Sequence, residues 1–275
     1  MSEILDALWK IDINTKPSNE KHKYDAILEK LKSQDSFSEK EYSAIIMIYH
    51  DINILEYLLE NGADPNHKFD ESKSGYLSPA LTLLVKSYCS SYSCYMDLQG
   101  SGLEDGIEKF RQNLEIISKM INAIVSHGAD VNQIDELNGF TALQNATDNN
   151  CYDVIKILLE CGADIDYCND KHGNIPPILI AMQHARRSQD LSIVNLLLKN
   201  GADINKCDDN GNNALDKYNF VIKDGIKFGN FFPLEIAQEV KSFMKPYETD
   251  LFTDSVEDEK KENNNKLWKL FRKKR

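Results

Sequence analysis

The residues that could bind a metal or act as nucleophiles are six cysteines and six histidines. Cys89 and Cys94 have a spacing compatible with half a metal site, but no second ligand pair accompanies them. His50, His67, His127, His172 and His184 fall at turns or helix ends of the pattern described below, where capping is the common role. No zinc-protease motif, phosphate loop, dinucleotide fingerprint or nucleophile elbow occurs. The expectation is therefore no catalytic residue, no metal and no cofactor.

Composition bounds what else the chain can be. A hydrophobic fraction of 41% and a charged fraction of 28% are those of a globular protein with a sizeable core. No run approaches the roughly 20 apolar residues of a membrane span. Asp6 and Asp12 beside the first apolar residues do not read as a secretory signal, and ordinary cysteine usage fits a reducing, intracellular compartment. The net charge of −12 is unevenly spread. Residues 257–275 carry eight Lys/Arg against four Asp/Glu, which leaves −16 on the remainder. An acidic body argues against nucleic acid as the partner, because phosphate binding needs a basic footprint.

Four segments repeat: LLENGADPN from Leu58, IVSHGADVN from Ile124, LLECGADID from Leu158 and LLKNGADIN from Leu197. Their glycines, Gly62, Gly128, Gly162 and Gly201, are spaced 66, 34 and 39 apart. Counting back from each glycine, four apolar residues recur at helical spacing. They are Ile54, Leu55, Leu58 and Leu59; Met120, Ile121, Ile124 and Val125; Val154, Ile155, Leu158 and Leu159; and Ile193, Val194, Leu197 and Leu198. The pattern predicts four amphipathic helices, each stopped by a glycine able to take the left-handed conformation. A shorter helix is predicted before each stripe. Thr141 to Gln144 reads as a capping box, Ser78-Pro79 as a cap before a first-turn proline, and Pro176-Pro177 as a third start.

This unit resembles the ankyrin repeat: a polar turn, a T-P-L-H-like first helix, then a second helix ending in L-L-x-x-G-A-D-x-N. The resemblance covers roughly residues 35–245. It implies an all-α solenoid of about four to five helix-turn-helix repeats with divergent end caps. No copy keeps the family's histidine, since Gln144 and Asp216 stand in its place. Residues 1–34 are expected to supply N-terminal capping helices, 35–246 the repeats with a C-terminal cap at about 233–244, and 247–275 a linker and basic tail. Stacked repeats would hold Cys168 and Cys207 about 10 Å apart, too far for a disulfide.

The 66-residue spacing fits either two repeats, one of them decayed, or one repeat with an insertion at about 88–113 between its paired helices, and the second reading is preferred because no Gly-Ala-Asp signature lies there. Its Tyr88, Tyr92 and Tyr95 beside serines have the composition of an adaptable recognition loop. In the tail, Leu267, Trp268, Leu270 and Phe271 share one side of a helical wheel, with Arg272 and Lys273 among the cations opposite. That arrangement suits weak contact with an anionic membrane or a partner groove, an address signal, or a frayed solubilising tail, since so short a helix is marginal alone.

The resemblance implies binding through turn tips. The candidates are Asp135, Glu136, Asn138, Tyr167, Asn169, Asp170, Lys171, His172, Asp208, Asp209 and Asn210. Carboxylates and amides there suit a basic or hydrogen-bonding protein segment. The expected function is a protein–protein interaction module, adaptor or effector-like, acting as a monomer without catalysis of its own. The alternatives are recruitment to a membrane by the tail and, less favoured, chemistry in the 88–113 insertion. Lysine outnumbers arginine 27 to 5, as in an AT-rich genome. A small ankyrin protein of that kind is similar to those that intracellular bacteria or large viruses deliver into host cells, so a host-derived partner is expected by analogy.

Overall fold

The computed structural model describes residues 17–33, 42, 46, 51–70, 75–169, 173–188 and 190–214. The first helix, α1, is Pro17–Lys32, and α2 is Ile52–Glu60. A two-residue antiparallel pair follows, β1 Lys68–Phe69 with β2 Ser78–Pro79, in the register Lys68↔Pro79 and Phe69↔Ser78. Then come three helix pairs: α3 Ala80–Leu98 with α4 Glu104–Ser126, α5 Ala142–Asp148 with α6 Tyr152–Glu160, and α7 Pro177–Ser188 with α8 Ser192–Lys199.

These helices stack in two rows. First helices α3, α5 and α7 pack on one another, as do second helices α2, α4, α6 and α8. The apolar stripes fill the space between. Fourteen of the sixteen stripe residues are buried, with Val125 and Leu159 half-buried. Each stripe makes one side of its helix insoluble alone, so burial against the neighbouring repeat stabilises the whole stack.

Every second helix ends the same way. Gly62, Gly128, Gly162 and Gly201 adopt φ of +96°, +95°, +86° and +94°. In the last turn of α2, Gly62 N–H donates to Leu59 O and Ala63 N–H to Leu58 O, and the other three copies repeat both bonds. Two otherwise unpaired carbonyls are thereby satisfied, and the alanine turns back toward the helix. Ala63, Ala163 and Ala202 are buried there.

The aspartate and the residue two after it explain the rest of the motif. Asp64, Asp130, Asp164 and Asp203 each accept the backbone N–H two residues on, at 2.9–3.0 Å. The residue so placed then reaches the next repeat. Asn66 Oδ1 accepts from Asp130 N–H at 2.6 Å, and Asn132 Oδ1 from Asp164 N–H at 2.7 Å. Asp166 accepts from Asp203 N–H through both oxygens, at 2.9 and 3.1 Å. A ladder of side-chain acceptors thus fixes the register between repeats.

Thr141 and Gln144 form a reciprocal capping box at the start of α5. Gln144 also donates to Ile175 O of the next repeat at 2.8 Å. Ser78 differs from its expectation as a helix cap. It lies in β2, the N-cap of α3 is Pro79, and the Ser78 hydroxyl donates to Asp135 Oδ1 at 2.8 Å.

The expected loop at 88–113 is instead helical. Residues 80–98 contain no glycine, and only the turn around Gly100 and Gly102 breaks the pair. On α4, Arg111 pairs with Glu108 at 2.7 Å and Lys119 with Glu115 at 2.8 Å. Leu114 and Ile117 are buried against the partner helix, and Asn113 Nδ2 donates to Ser91 Oγ at 2.8 Å. Of the serines that suggest a loop, Ser91 is buried facing α4, whereas Ser90 and Ser93 lie exposed on the helix surface. The expected cap at 233–244 and the segment 247–275 lie outside the described residues.

Candidate functional site

Turn tips join each second helix to the next first helix. Asp135 closes its tip, with Gly139 N–H donating to Asp135 O at 2.7 Å and Asp135 N–H to Phe140 O at 2.9 Å. Asp208 does the same work two repeats later, its Oδ1 accepting from the N–H groups of Asn210 and Asn212. Neighbouring tips are tied together: Glu136 N–H to Leu77 O, Asn169 Nδ2 to Gly139 O, and Asp209 N–H to Gly173 O. The tips therefore form one preorganised edge, so a partner meeting it incurs little ordering cost.

The candidate residues divide on this edge. Asp135 is not exposed at all. Its carboxylate lies 2.6 Å from Lys86 Nζ and also accepts from Ser78 Oγ and Leu137 N–H. A buried charge needs such partners, and with three of them Asp135 organises the turn and is withheld from any ligand. This corrects its expected place among the exposed contacts. Asn138 is engaged similarly, its amide donating to Asn145 Oδ1 at 2.8 Å and its Oδ1 accepting from Phe140 N–H. Tyr167, Asn169 and Asp208 are half-buried within their turns.

Glu136, Asp209 and Asn210 are exposed. Glu136 pairs with Lys68 at 3.0 Å, and that bond, with the Leu77 N–H, holds its carboxyl below the usual range. Asp170, Lys171 and His172 lie outside the described residues, as do Leu267, Trp268, Leu270, Phe271, Arg272 and Lys273 of the tail.

Two tip residues carry more apolar surface than the polar candidates. Tyr76 is 55% exposed and Leu137 50% exposed. They flank the Glu136–Leu77 hydrogen bond that joins consecutive tips. Their signal in the sequence was weak, because an apolar residue inside a polar turn reads as filler unless its neighbours are known.

Tyr88, Tyr92 and Tyr95 lie on α3 and not on a loop, which corrects that expectation. Their rings stack in series, with centroids 6.4 Å apart between Tyr88 and Tyr92 and 6.5 Å between Tyr92 and Tyr95. Tyr88 is buried, whereas Tyr92 and Tyr95 are half-buried.

All six cysteines are free thiols. Cys89 and Cys151 are buried together, and their mutual hydrogen bond, followed by burial, pushes the Cys89 thiol up. A protonated buried thiol is a poor nucleophile. Among the described residues no three His, Cys, Asp or Glu gather as a metal site, and no helix is long and apolar enough to cross a membrane.

A family model described as ankyrin repeats in three copies matches residues 110–169. A second, described as ankyrin repeats in many copies, matches residues 182–217. No curated protein matches the chain.

Proposed function

We propose, from the premise that this chain is built of ankyrin repeats, that it is a binding protein whose row of turn tips docks a segment of another protein. Ankyrin repeats mediate protein–protein interaction, and the finer reading is of an adaptor or effector-like protein that brings no reaction of its own. One observation carries it. The tips are hydrogen-bonded to one another into a single edge, yet Tyr76 and Leu137 stand out from it beside Glu136, with Asp209 and Asn210 exposed farther along. Large aromatic and aliphatic side chains held rigidly at a polar rim are the usual anchors of an interface. The acidic body suits a partner segment with basic residues around an apolar anchor.

The test is affinity capture from host-type lysate, quantified by mass spectrometry, with the wild-type chain and a Tyr76→Ala/Leu137→Ala variant. A partner enriched by the wild type and lost with the variant, at unchanged helical circular dichroism, supports the reading. Equal capture of every partner by both proteins removes the tips from the binding surface.

A further inference from the structure

Helices α3 and α4 outgrow the other pairs. They have 19 and 23 residues, against 7 and 9 in α5 and α6. At about 1.5 Å per residue the excess is about 18–21 Å of helix. The extra length sits where α3 ends and α4 begins, across the connection at 99–103. In the next repeats the equivalent connections are 149–151 and 189–191. A turn tip feeds the start of each first helix and follows the end of each second helix. The connections within pairs therefore lie at the opposite edge, and the α3–α4 arm extends from that edge.

The end of the arm is tightly closed. Gly100 and Gly102 turn the chain at φ of +78° and +76°. Ser101 N–H donates to Leu98 O at 3.0 Å, and Gly106 N–H to Leu103 O at 2.9 Å. A Cβ on Gly106 would stand 3.2 Å from Leu98 Cδ1, so the missing side chain lets the end of α3 lie close against the start of α4. The side chains on this end are therefore held in place before any partner arrives, which lowers the ordering cost of binding.

Two residues there work against the helices that carry them. Leu103 is the N-cap of α4 and makes no side-chain capping bond. Cys151 and Leu191 hold the same position before α6 and α8, also without a capping bond, but both are buried. Their burial offsets the missing cap. Leu103 is 58% exposed and has neither benefit. Asp97 lies exposed in the last turn of α3, where the helix dipole disfavours a carboxylate. Natural sequences break such local rules chiefly at functional surfaces.

The neighbours of these two residues define the chemistry. Met96 is 50% exposed beside Asp97, and Glu104 and Asp105 are exposed directly after Leu103. From 87 to 108 the chain has four carboxylates and no Lys, Arg or His. The fourth, Glu108, pairs with Arg111 on α4 itself. Such an end repels phosphate groups, whether of lipid or of nucleic acid. Apolar side chains flanked by carboxylates complement apolar side chains flanked by cations.

We propose that the end of the α3–α4 arm is a second docking site, and that it takes a cationic amphipathic segment of a partner protein. Apolar side chains of that segment cover Leu103 and Met96, and its Lys or Arg residues face Asp97, Glu104 and Asp105. The site does not depend on the turn tips.

The experiment is fluorescence anisotropy with the full chain and a short labelled Leu/Lys peptide patterned as an amphipathic helix, alongside Leu/Gln and Ser/Lys peptides of equal length. The Leu/Lys peptide is expected to bind, with both controls at least about tenfold weaker, and added salt to weaken it. Leu103→Ser should weaken the Leu/Lys peptide about threefold to tenfold by removing apolar contact. The same change should raise the urea midpoint, because serine is a favoured N-cap. Loss of binding at a raised midpoint is a result that disturbed packing cannot produce. Asp97→Asn should weaken binding about twofold to fivefold without loss of stability. Asp209→Ala at the tips should leave affinity unchanged. No binding of the Leu/Lys peptide overturns the proposal, as does equal binding of the Leu/Gln peptide. It is also overturned by a Leu103→Ser variant that binds normally, or that loses binding and stability together. A loss that instead follows Asp209→Ala moves the peptide to the tips and overturns it too.

Discussion

Replacing Asp166 by Asn should make the protein more stable at neutral pH. In the inter-repeat ladder, Asn66 and Asn132 offer a neutral amide oxygen to the next repeat, whereas Asp166 offers a carboxylate to Asp203 N–H. Asn66 Nδ2 also donates to Gly128 O at 3.0 Å, a bond for which a carboxylate has no hydrogen. Burial first, then the Asp203 and Asp164 charges, raise the Asp166 carboxyl above its ordinary value, against the lowering pull of the Asp203 N–H and Lys206. The side chain is only partly covered, so water screens much of that repulsion. An amide keeps the acceptor, removes the charge and adds a donor, for a gain of about 0.5–1 kcal/mol. The sign of the pH effect follows from the raised carboxyl. The favourable contribution of the protonated form is fully present below the unfolded value of about pH 4, and is lost as pH rises through the folded value. The advantage of Asp166→Asn is therefore largest at pH 7 and shrinks toward pH 4. Urea midpoints for both proteins at the two pH values measure it. A variant less stable at pH 7, or a gap that widens in acid, refutes the ladder reasoning.

Truncating Leu158, fully buried in α6, to Ala should cost about 2–5 kcal/mol. Glu160→Ala, on the exposed side of the same helix, should stay within about 0.5 kcal/mol by the same denaturant titration. Asp135→Ala removes the buried carboxylate that Ser78, Leu137 N–H and Lys86 share, and should cost about 2–4 kcal/mol, with Asp209→Ala near neutral. Replacing residues 93–110 with a short Gly/Ser turn should preserve a cooperative helical melt, because loop closure costs little and the buried Tyr88, Cys89 and Leu114 remain. The segment 266–275 holds six cations and four large apolar residues, so the full chain should cosediment with anionic vesicles at low salt and lose them at high salt. No cosedimentation at low salt removes the membrane role.

What the sequence displayed was whatever depends on neighbours within a turn or two. The stripe around Leu158, the left-handed Gly162 that stops its helix, and the Thr141–Gln144 box all rest on contacts a few residues apart. Their geometry is therefore written in their spacing. Asp135 could not be read this way. It sits in a polar turn that looks exposed, and its burial comes from Ser78 and Lys86, about 50 residues upstream. The arm was hidden for a related reason. Its serines and tyrosines are poor evidence for a helix taken alone. They become helical because α4 supplies an apolar stripe and charge pairs at i+3 and i+4 to pack beside them. Leu137 was equally illegible, since only the tie between Glu136 and Leu77 makes it one of two adjacent apolar tips.

The repeat architecture also explains how an arm of this length can be accommodated. Each repeat contacts only its neighbours, so extra helix in one pair disturbs the stack only if it enters the ladder or the stripes. Growth at the 99–103 connection does neither: the ladder runs through Asn66, Asn132 and Asp166, and the stripes end before their glycines. The tips remain tied to one another whatever is added at the opposite edge. An insertion on the tip side would have cut the hydrogen bonds from Glu136 to Leu77 and from Asp209 to Gly173. Placement of the arm thus leaves the tip edge, where Tyr76 and Leu137 are exposed, undisturbed. Variants on either edge can then be read without confounding the other, since effects of sites that share no contacts add.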